Sequence, residues 1–347
     1  MRINFEKLNY VIIIIINLVI LHNINARETT KAGTAAAQFL KIGVGARAQA
    51  MAGAFVAATG DVASLYWNPA GAATISQKSW SGTYTNWLAD LTHQFTGLII
   101  PVRSNSVVGI SATFLNMGAE EITTLEKPAG TGLFWDASDF AVGISYAKQL
   151  TDFFSIGITG KYIHQRIYHE TASTLALDVG TCLRTPFHGL RIGMCFSNFG
   201  GDLQLDGRDL MRGYDLNPAN SRNDAVDARL GTPPWPLPIN FRVGIALELM
   251  GNHPENFWQA RHHQLLLLAD ANHPNDAAEN VCAGLEYLAF QKMALRGGYQ
   301  FNSDLLSFTF GGGLKIPLRT SILTIDYALA NFGEFNYINY FSFSLVF

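Results

Sequence analysis

The 347-residue chain is 48% apolar and only 15% charged, against roughly 25% charged residues in an average soluble domain. A net charge of −3 without a dense basic patch excludes nucleic acid or another polyanion as the expected partner. Cys182, Cys195 and Cys282 are too few and too dispersed for a disulfide framework and read as free thiols.

The amino terminus reads as an export signal. Arg2 and Lys7 precede the apolar run "YVIIIIINLVIL", Tyr10 to Leu21, and the polar "HNINARETT" follows at once. A membrane anchor is the alternative, but an apolar run of about a dozen residues rises only about 18 Å as a helix, short of the roughly 30 Å hydrocarbon layer. Residues 1–26 are therefore expected to be a signal peptide cut near Ala26, with Ile24 an unusual residue three positions before the cut. No Cys follows the run to carry a lipid.

An Ala/Gly-rich stretch, residues 27–77, comes next. Within it "IGVGARAQAMAGAFVAATGD" sets Gly43-x-Gly45-x-x-Ala48 ahead of Asp61, close to a dinucleotide-binding fingerprint. That fingerprint needs a preceding strand and a βαβ unit, and only "AAAQFLK" precedes it, so no nucleotide or other cofactor is expected. Ala48, Met51, Ala52 and Phe55 instead stand at helical spacing, and Asp61 is placed to cap a short helix "VASLYW". Pro69 stops that helix, Asn68 is held extended before it, and Gly71 is free to turn. Small residues of this kind fit a compact plug inside a barrel.

From residue 78 onward the pattern has period two. Phe241, Val243, Ile245, Leu247 and Leu249 oppose Arg242, Gly244, Ala246 and Glu248, and similar two-faced segments recur along the chain. They predict an all-β transmembrane antiparallel barrel over 78–347. Its fourteen strands fall near 78–88, 91–100, 106–117, 134–149, 153–167, 172–184, 189–199, 238–250, 262–271, 279–289, 291–301, 305–315, 319–329 and 337–347. An exported soluble β-sandwich is the alternative, but it would leave too much apolar surface in water. Connections after odd strands tend to be long ("GAEEITTLEKPAGTGLF", 200–237, "ALANFGEF") and those after even strands short, which predicts periplasmic barrel termini in a bacterial outer membrane. "LADL" and "GNHPENFWQAR" break that rule. Trp80, Tyr84, Tyr146, Tyr162, Tyr299 and Tyr327 are available for interfacial girdles. The last strand places Tyr337, Phe341, Phe343, Leu345 and Phe347 on one face. It resembles the terminal signal read by the barrel-assembly machinery, which makes Phe343, Leu345 and Phe347 its expected elements.

"FLKIGVGARAQAMAGAFVAATGDVASLYWNPAGAATI" resembles the amino-terminal signature of PorV/PorQ-type proteins, relatives of the FadL-like outer-membrane transporters. "YTNWLADLTHQFTGLIIP", "LRGGYQ", "SFTFGGGL" and the closing "IDYALANFGEFNYINYFSFSL" resemble the family's strands. The resemblance implies a hatch inside a fourteen-stranded barrel, with Gly43, Gly45, Arg47, Gly53, Phe55, Asp61, Trp67, Asn68, Pro69 and Gly71 as its motif. Ala52 departs from the glycine common in the family, a change expected to leave the fold undisturbed. It further implies a role in type IX secretion, engaging exported substrates or secretion components. The alternative is passage of a hydrophobic small molecule, as in FadL-like members.

The inward face carries Lys161, Asp178, Arg184, Arg191, Arg242, Glu248, Glu286, Arg296 and Asp326, which suits a wet, salt-bridged interior better than a lipid conduit. The long connection "GGDLQLDGRDLMRGYDLNPANSRNDAVDARLGTPPWPLP" offers Asp206, Arg208, Tyr214 and Trp235 for partner contact. Its prolines read either as a recognition arm or as a stiff return to the next strand. Enzymatic activity is not expected: His164 and His169 lie near Ser173, and His262 precedes His263, but no catalytic spacing emerges. The histidines are too irregular for a metal, and "LDGRD" lacks a calcium-loop pattern. Cys195 is expected opposite about position 178, too far from Cys182 for a disulfide.

Overall fold

A computed structural model of the chain describes residues 31–215, 226–252, 254, 256–303 and 305–347. The expected signal peptide and its cut near Ala26 lie outside the described residues, as do residues 216–225 of the long connection. Among the described residues no helix is long and apolar enough to cross a membrane.

Fourteen long strands run as a meander: β1 Ser79–Asn86, β2 Thr92–Arg103, β3 Ser106–Asn116, β4 Ala137–Thr151, β5 Phe154–Ile167, β6 Glu170–Arg184, β7 Arg191–Gly200, β8 Asn240–Gly251, β9 His263–Pro274, β10 Asn280–Ala289, β11 Met293–Phe301, β12 Phe308–Pro317, β13 Ile322–Asn331 and β14 Tyr337–Val346. Each pairs antiparallel with the next, and β14 returns to β1 from Ser79↔Val346 to Asn86↔Asn339, so the sheet closes. Closure leaves no unpaired edge, which a sheet surrounded by hydrocarbon requires. The amide of Phe347 completes the seam by donating to Lys78 O at 2.9 Å.

The period-two pattern sorts side chains between two environments. Ile144, Leu175, Leu295 and Phe310 point outward and are 60–69% exposed, while Ser145, Ala176, Arg296 and Thr309 beside them are buried inside. An apolar outer surface of this extent belongs in lipid. Phe343 and Phe347 lie on that outer surface, with Leu345 partly covered between them. Leu249 departs from the expected outward face. A register shift between Glu248 and Met250 inserts a residue into β8, and Leu249 turns inward to 7% exposure.

The connections follow the expected long/short rule only in part. At the end away from the C-terminus, residues 117–136 and 201–239 are long, but β5 and β6 are joined by the two-residue turn Tyr168–His169. "ALANFGEF" contributes its first four residues to β13, leaving only 332–336 as the turn. In the β6–β7 hairpin Cys195 pairs with Gly180, not with position 178, and Cys182 pairs with Gly193. The two thiols are therefore diagonal neighbours, and both are free and buried.

Candidate functional site

Residues 35–75 occupy the barrel lumen and make its core. Val44, Ala48, Met51, Phe55 and Trp67 are buried together, and Val62, Leu65 and Ala72 pack on Ile99 and Val107 of the wall. The helical spacing of Ala48, Met51, Ala52 and Phe55 is realised as helix only at Ala46–Gln49. Ala52 (φ 54°) and Gly53 (φ 79°) take left-handed backbone and end it. Ala52 thus carries a Cβ in a region that costs it about 1 kcal/mol, a cost that a glycine would not carry. Close approach is met from the wall as well, since a Cβ on Gly157, Gly193 or Gly298 would collide with backbone at Pro69–Ala70, Val56–Ala57 or Met51–Ala52.

Gly43, Gly53 and Phe55 of the motif meet at Trp67. Its Nε1 donates to Val44 O at 2.9 Å, Phe55 stands 6.3 Å away, and Gly43 and Gly53 lie against the indole where a Cβ would crowd it. Arg242 of β8 stacks over the same indole at 4.8 Å. Gly45 (φ 84°) turns the chain beneath Ala63. Gly71 fits under Ala58 O. The Asp61 carboxylate accepts from Ala63 N at 2.9 Å at the start of the Ser64–Trp67 turn and pairs with Arg47 at 3.2 Å. Asn68 is extended before Pro69, donates to Val56 O (2.7 Å) and Thr181 O (3.0 Å), and accepts from Ala70 N (3.0 Å). One side chain thus ties two parts of the segment to β6.

Some of the charges expected to line a wet, salt-bridged interior pin this lumenal segment. Arg47 reaches Glu286 of β10 through two bonds of 2.7 and 2.8 Å. Glu286 also accepts from Arg296 of β11 at 2.6 Å, and Arg296 continues to Asp326 of β13 at 2.6 Å. Positive and negative groups alternate around a quarter of the wall, so each buried charge has a hydrogen-bonded partner. Lys161 and Asp178 form a second buried pair at 2.8 Å, joined to Asn198. Arg184, Arg191 and Glu248 gather at the mouth on the C-terminal side.

Sequence reasoning missed several anchors. Asp270 of β9 accepts from Phe55 N (2.6 Å) and Val56 N (2.8 Å). Thr309 of β12 accepts from Ala52 N and donates to Ala50 O, both at 2.9 Å, and Ser342 of β14 accepts from Ala46 N at 2.8 Å. An acid alone in the apolar run "LLLLADA" was the available cue for Asp270. Near the other mouth, Lys41 pairs with Asp276 at 3.1 Å, Gln165 accepts from Ala37 N at 3.0 Å, and Ala36 N donates to Pro236 O at 2.9 Å.

The long connection covers that second mouth. Trp235 exchanges two 2.8 Å backbone bonds with Leu203, and Leu203 and Leu237 pack on Phe39 and Leu40. The proline stretch is thus a return strap lying over the lumenal segment. The four candidate contact residues do not converge. Asp206 pairs with Arg229, Arg208 lies against His169, Tyr214 sits in the hairpin Met211–Tyr214/Val226–Arg229, and Trp235 is 44% exposed at the base.

The wall also brings His164 and Ser173 together, directly opposed across β5 and β6 with Nδ1 to Oγ at 2.8 Å. Tyr162 donates to the same Oγ at 3.0 Å, and His169 binds Asp209 instead. Among the described residues no carboxylate orients the other nitrogen of His164, and no group of three or more His, Cys, Asp or Glu could hold a metal.

Three solved structures share the fold. The toluene transporter TbuX of Ralstonia pickettii is 13% identical, with 88% of this chain and 97% of that one covered and a TM-score of 0.54. The toluene transporter TodX of Pseudomonas putida is 11% identical (88% and 96% covered, TM-score 0.53). A Pseudomonas aeruginosa FadL homologue is 10% identical (86% and 97% covered, TM-score 0.52). No curated protein matches the chain. Type IX secretion system protein PorV, as a family, matches residues 25–207, more than half of the sequence and inclusive of every Trp67-centred motif residue. This outer-membrane β-barrel chain belongs to the PorV family.

Proposed function

We propose that the protein serves type IX secretion as a closed outer-membrane barrel that engages exported substrates or other secretion components at its loop-bearing mouth. The observation that carries this reading is the filled lumen. Residues 35–75 are pinned to β6, β9, β10, β12 and β14, and contact with a partner falls to the strap and hairpin at 201–239. Residues 27–77 act as the hatch, and the Trp67-centred motif keeps it compact. The signal peptide is removed near Ala26, the barrel-assembly machinery recognises Phe343, Leu345 and Phe347, and both barrel termini face the periplasm. The protein is not an enzyme.

The alternative is a FadL-like transporter of hydrophobic small molecules, favoured by the fold shared with TbuX and TodX. Mass spectrometry of the protein gently extracted from its own outer membrane separates the two. Exported proteins sharing one C-terminal domain, lost when residues 201–237 are deleted, support the secretion reading. A bound hydrophobic molecule without any protein partner overturns it.

A further inference from the structure

On the lipid-facing wall, at the seam where β14 meets β1, lies a groove of about 300 Å³. Trp80, Tyr84, Phe114 and Phe343 stand around it, and Gly82 leaves its floor open. The Trp80 indole leans over that glycine, 3.1 Å from where a Cβ would stand, and its Nε1 donates to Thr96 Oγ1 at 3.0 Å. Behind the groove β1 and β2 pair without a break from Ser79↔Ile99 to Asn86↔Thr92, with Thr83 and Phe95 buried. The groove is therefore a depression of the outer surface and gives no passage to the lumen.

Strand pairing sets its depth. Asn86, Thr92, Asn116, Ser138 and Arg166 oppose one another strand by strand and form one polar rung of the wall. Two residues nearer the C-terminal mouth the rung reads Tyr84, Gln94, Phe114 and Phe140, aromatic except for Gln94. The edge of the apolar band thus falls between two rungs about 7 Å apart along the strands. Gln94 is exposed on the groove, and among the described residues no group hydrogen-bonds its amide. An amide left unpaired against hydrocarbon is costly. Just inside its headgroups a bilayer offers one kind of polar atom, the carbonyl that links each acyl chain.

We propose that the groove binds one lipid of the surrounding membrane, with its ester carbonyl accepting from Gln94 Nε2 and its acyl chain lying over Gly82 between Trp80, Phe114 and Phe343. The groove is continuous with the lipid-facing wall, so its occupant enters from the bilayer. Its sides come from β14, β1, β2 and β3, and the bound lipid braces the closing seam from outside. This assignment is independent of the secretion and transport readings.

The test takes the full barrel, exchanged into a non-ionic detergent and freed of lipid, and titrates it with dioleoyl phosphatidylethanolamine or with the diether analogue that lacks both carbonyls. Native mass spectrometry counts the lipid retained. The expected result is one ester lipid per barrel, with the diether held several-fold more weakly. Gly82→Leu fills the groove and abolishes retention, Ala269→Leu on the outward face of β9 leaves it unchanged, and Gln94→Leu holds both lipids as weakly as the diether. No retention by the wild type, wild-type retention in Gly82→Leu, equal loss in Ala269→Leu, or an ester preference that survives in Gln94→Leu overturns the proposal. A copurifying protein that Gly82→Leu displaces, in place of lipid, assigns the groove to a partner and overturns it as well. If Gly82→Leu does not fold, the comparison of ester and ether in Gln94→Leu decides alone.

Discussion

The lumenal segment, residues 35–75, and the long connection, residues 201–239, are both stretches of mostly irregular backbone, yet the barrel treats them differently. The first is tied to the wall along its length: by the side chains of Ser342 at Ala46, Thr309 at Ala52 and Asp270 at Phe55, and by the Asn68 side chain at Thr181 O. The second is held at its base, through Leu203, Trp235, Pro236 and Leu237, and at residues 206–209 against the β5–β6 turn, while its hairpin strands Met211–Tyr214 and Val226–Arg229 are largely exposed. Irregular backbone is fixed where neighbouring strands supply its missing hydrogen-bond partners, and is left adaptable where water does. The first arrangement suits a stopper and the second a contact surface.

Substitutions should break this contrast in graded steps. Glu286→Leu leaves Arg47 and Arg296 buried without their shared partner and should destabilise the lumenal segment by about 3–5 kcal/mol. Limited proteolysis of the solubilised barrel should then cut within residues 35–75, while the wall stays resistant. Wild-type resistance in that variant would show that the ion-pair network does not hold the segment. Thr309→Val strands Ala52 N and Ala50 O, and its expected loss is about 1–3 kcal/mol, read as a lower temperature for the same cleavage. Ala52→Gly relieves the left-handed strain and should stabilise by about 0.5–1 kcal/mol; a fall in stability would contradict the account given for that position. Arg229→Ala removes an exposed ion pair with Asp206 in the long connection and should change stability by less than about 1 kcal/mol. A larger loss there would mean that the connection is as firmly built in as the lumenal segment.

The barrel was legible because lipid outside and a packed lumen inside force strict alternation, and all fourteen strands fall within three residues of their expected ends. What alternation cannot reveal is where it slips. The extra residue near Leu249 and the turn position that sets Cys195 opposite Gly180 belong to the backbone pairing, which side-chain alternation does not record. The Trp67-centred motif was legible as a pattern of small residues, but its helix was overestimated because spacing does not report the sign of φ at Ala52 and Gly53. The inward charges were read correctly as inward and salt-bridged, but Glu286, Arg296 and Asp326 are packed away from water rather than wet. Their partner, Arg47, lies some 240 positions from Glu286 in sequence, beyond the reach of any local pattern.

The anchors of the lumenal segment are spread around the circumference: β6 holds Asn68, β9 holds Phe55, β12 holds Ala52 and β14, the last strand made, holds Ala46. A barrel lacking a strand, or closed one residue out of register, presents some of these groups to the wrong face and cannot seat the segment. Full seating of residues 35–75 is thus expected only once β14 has closed on β1, since Ser342 of β14 is one of the groups that holds it.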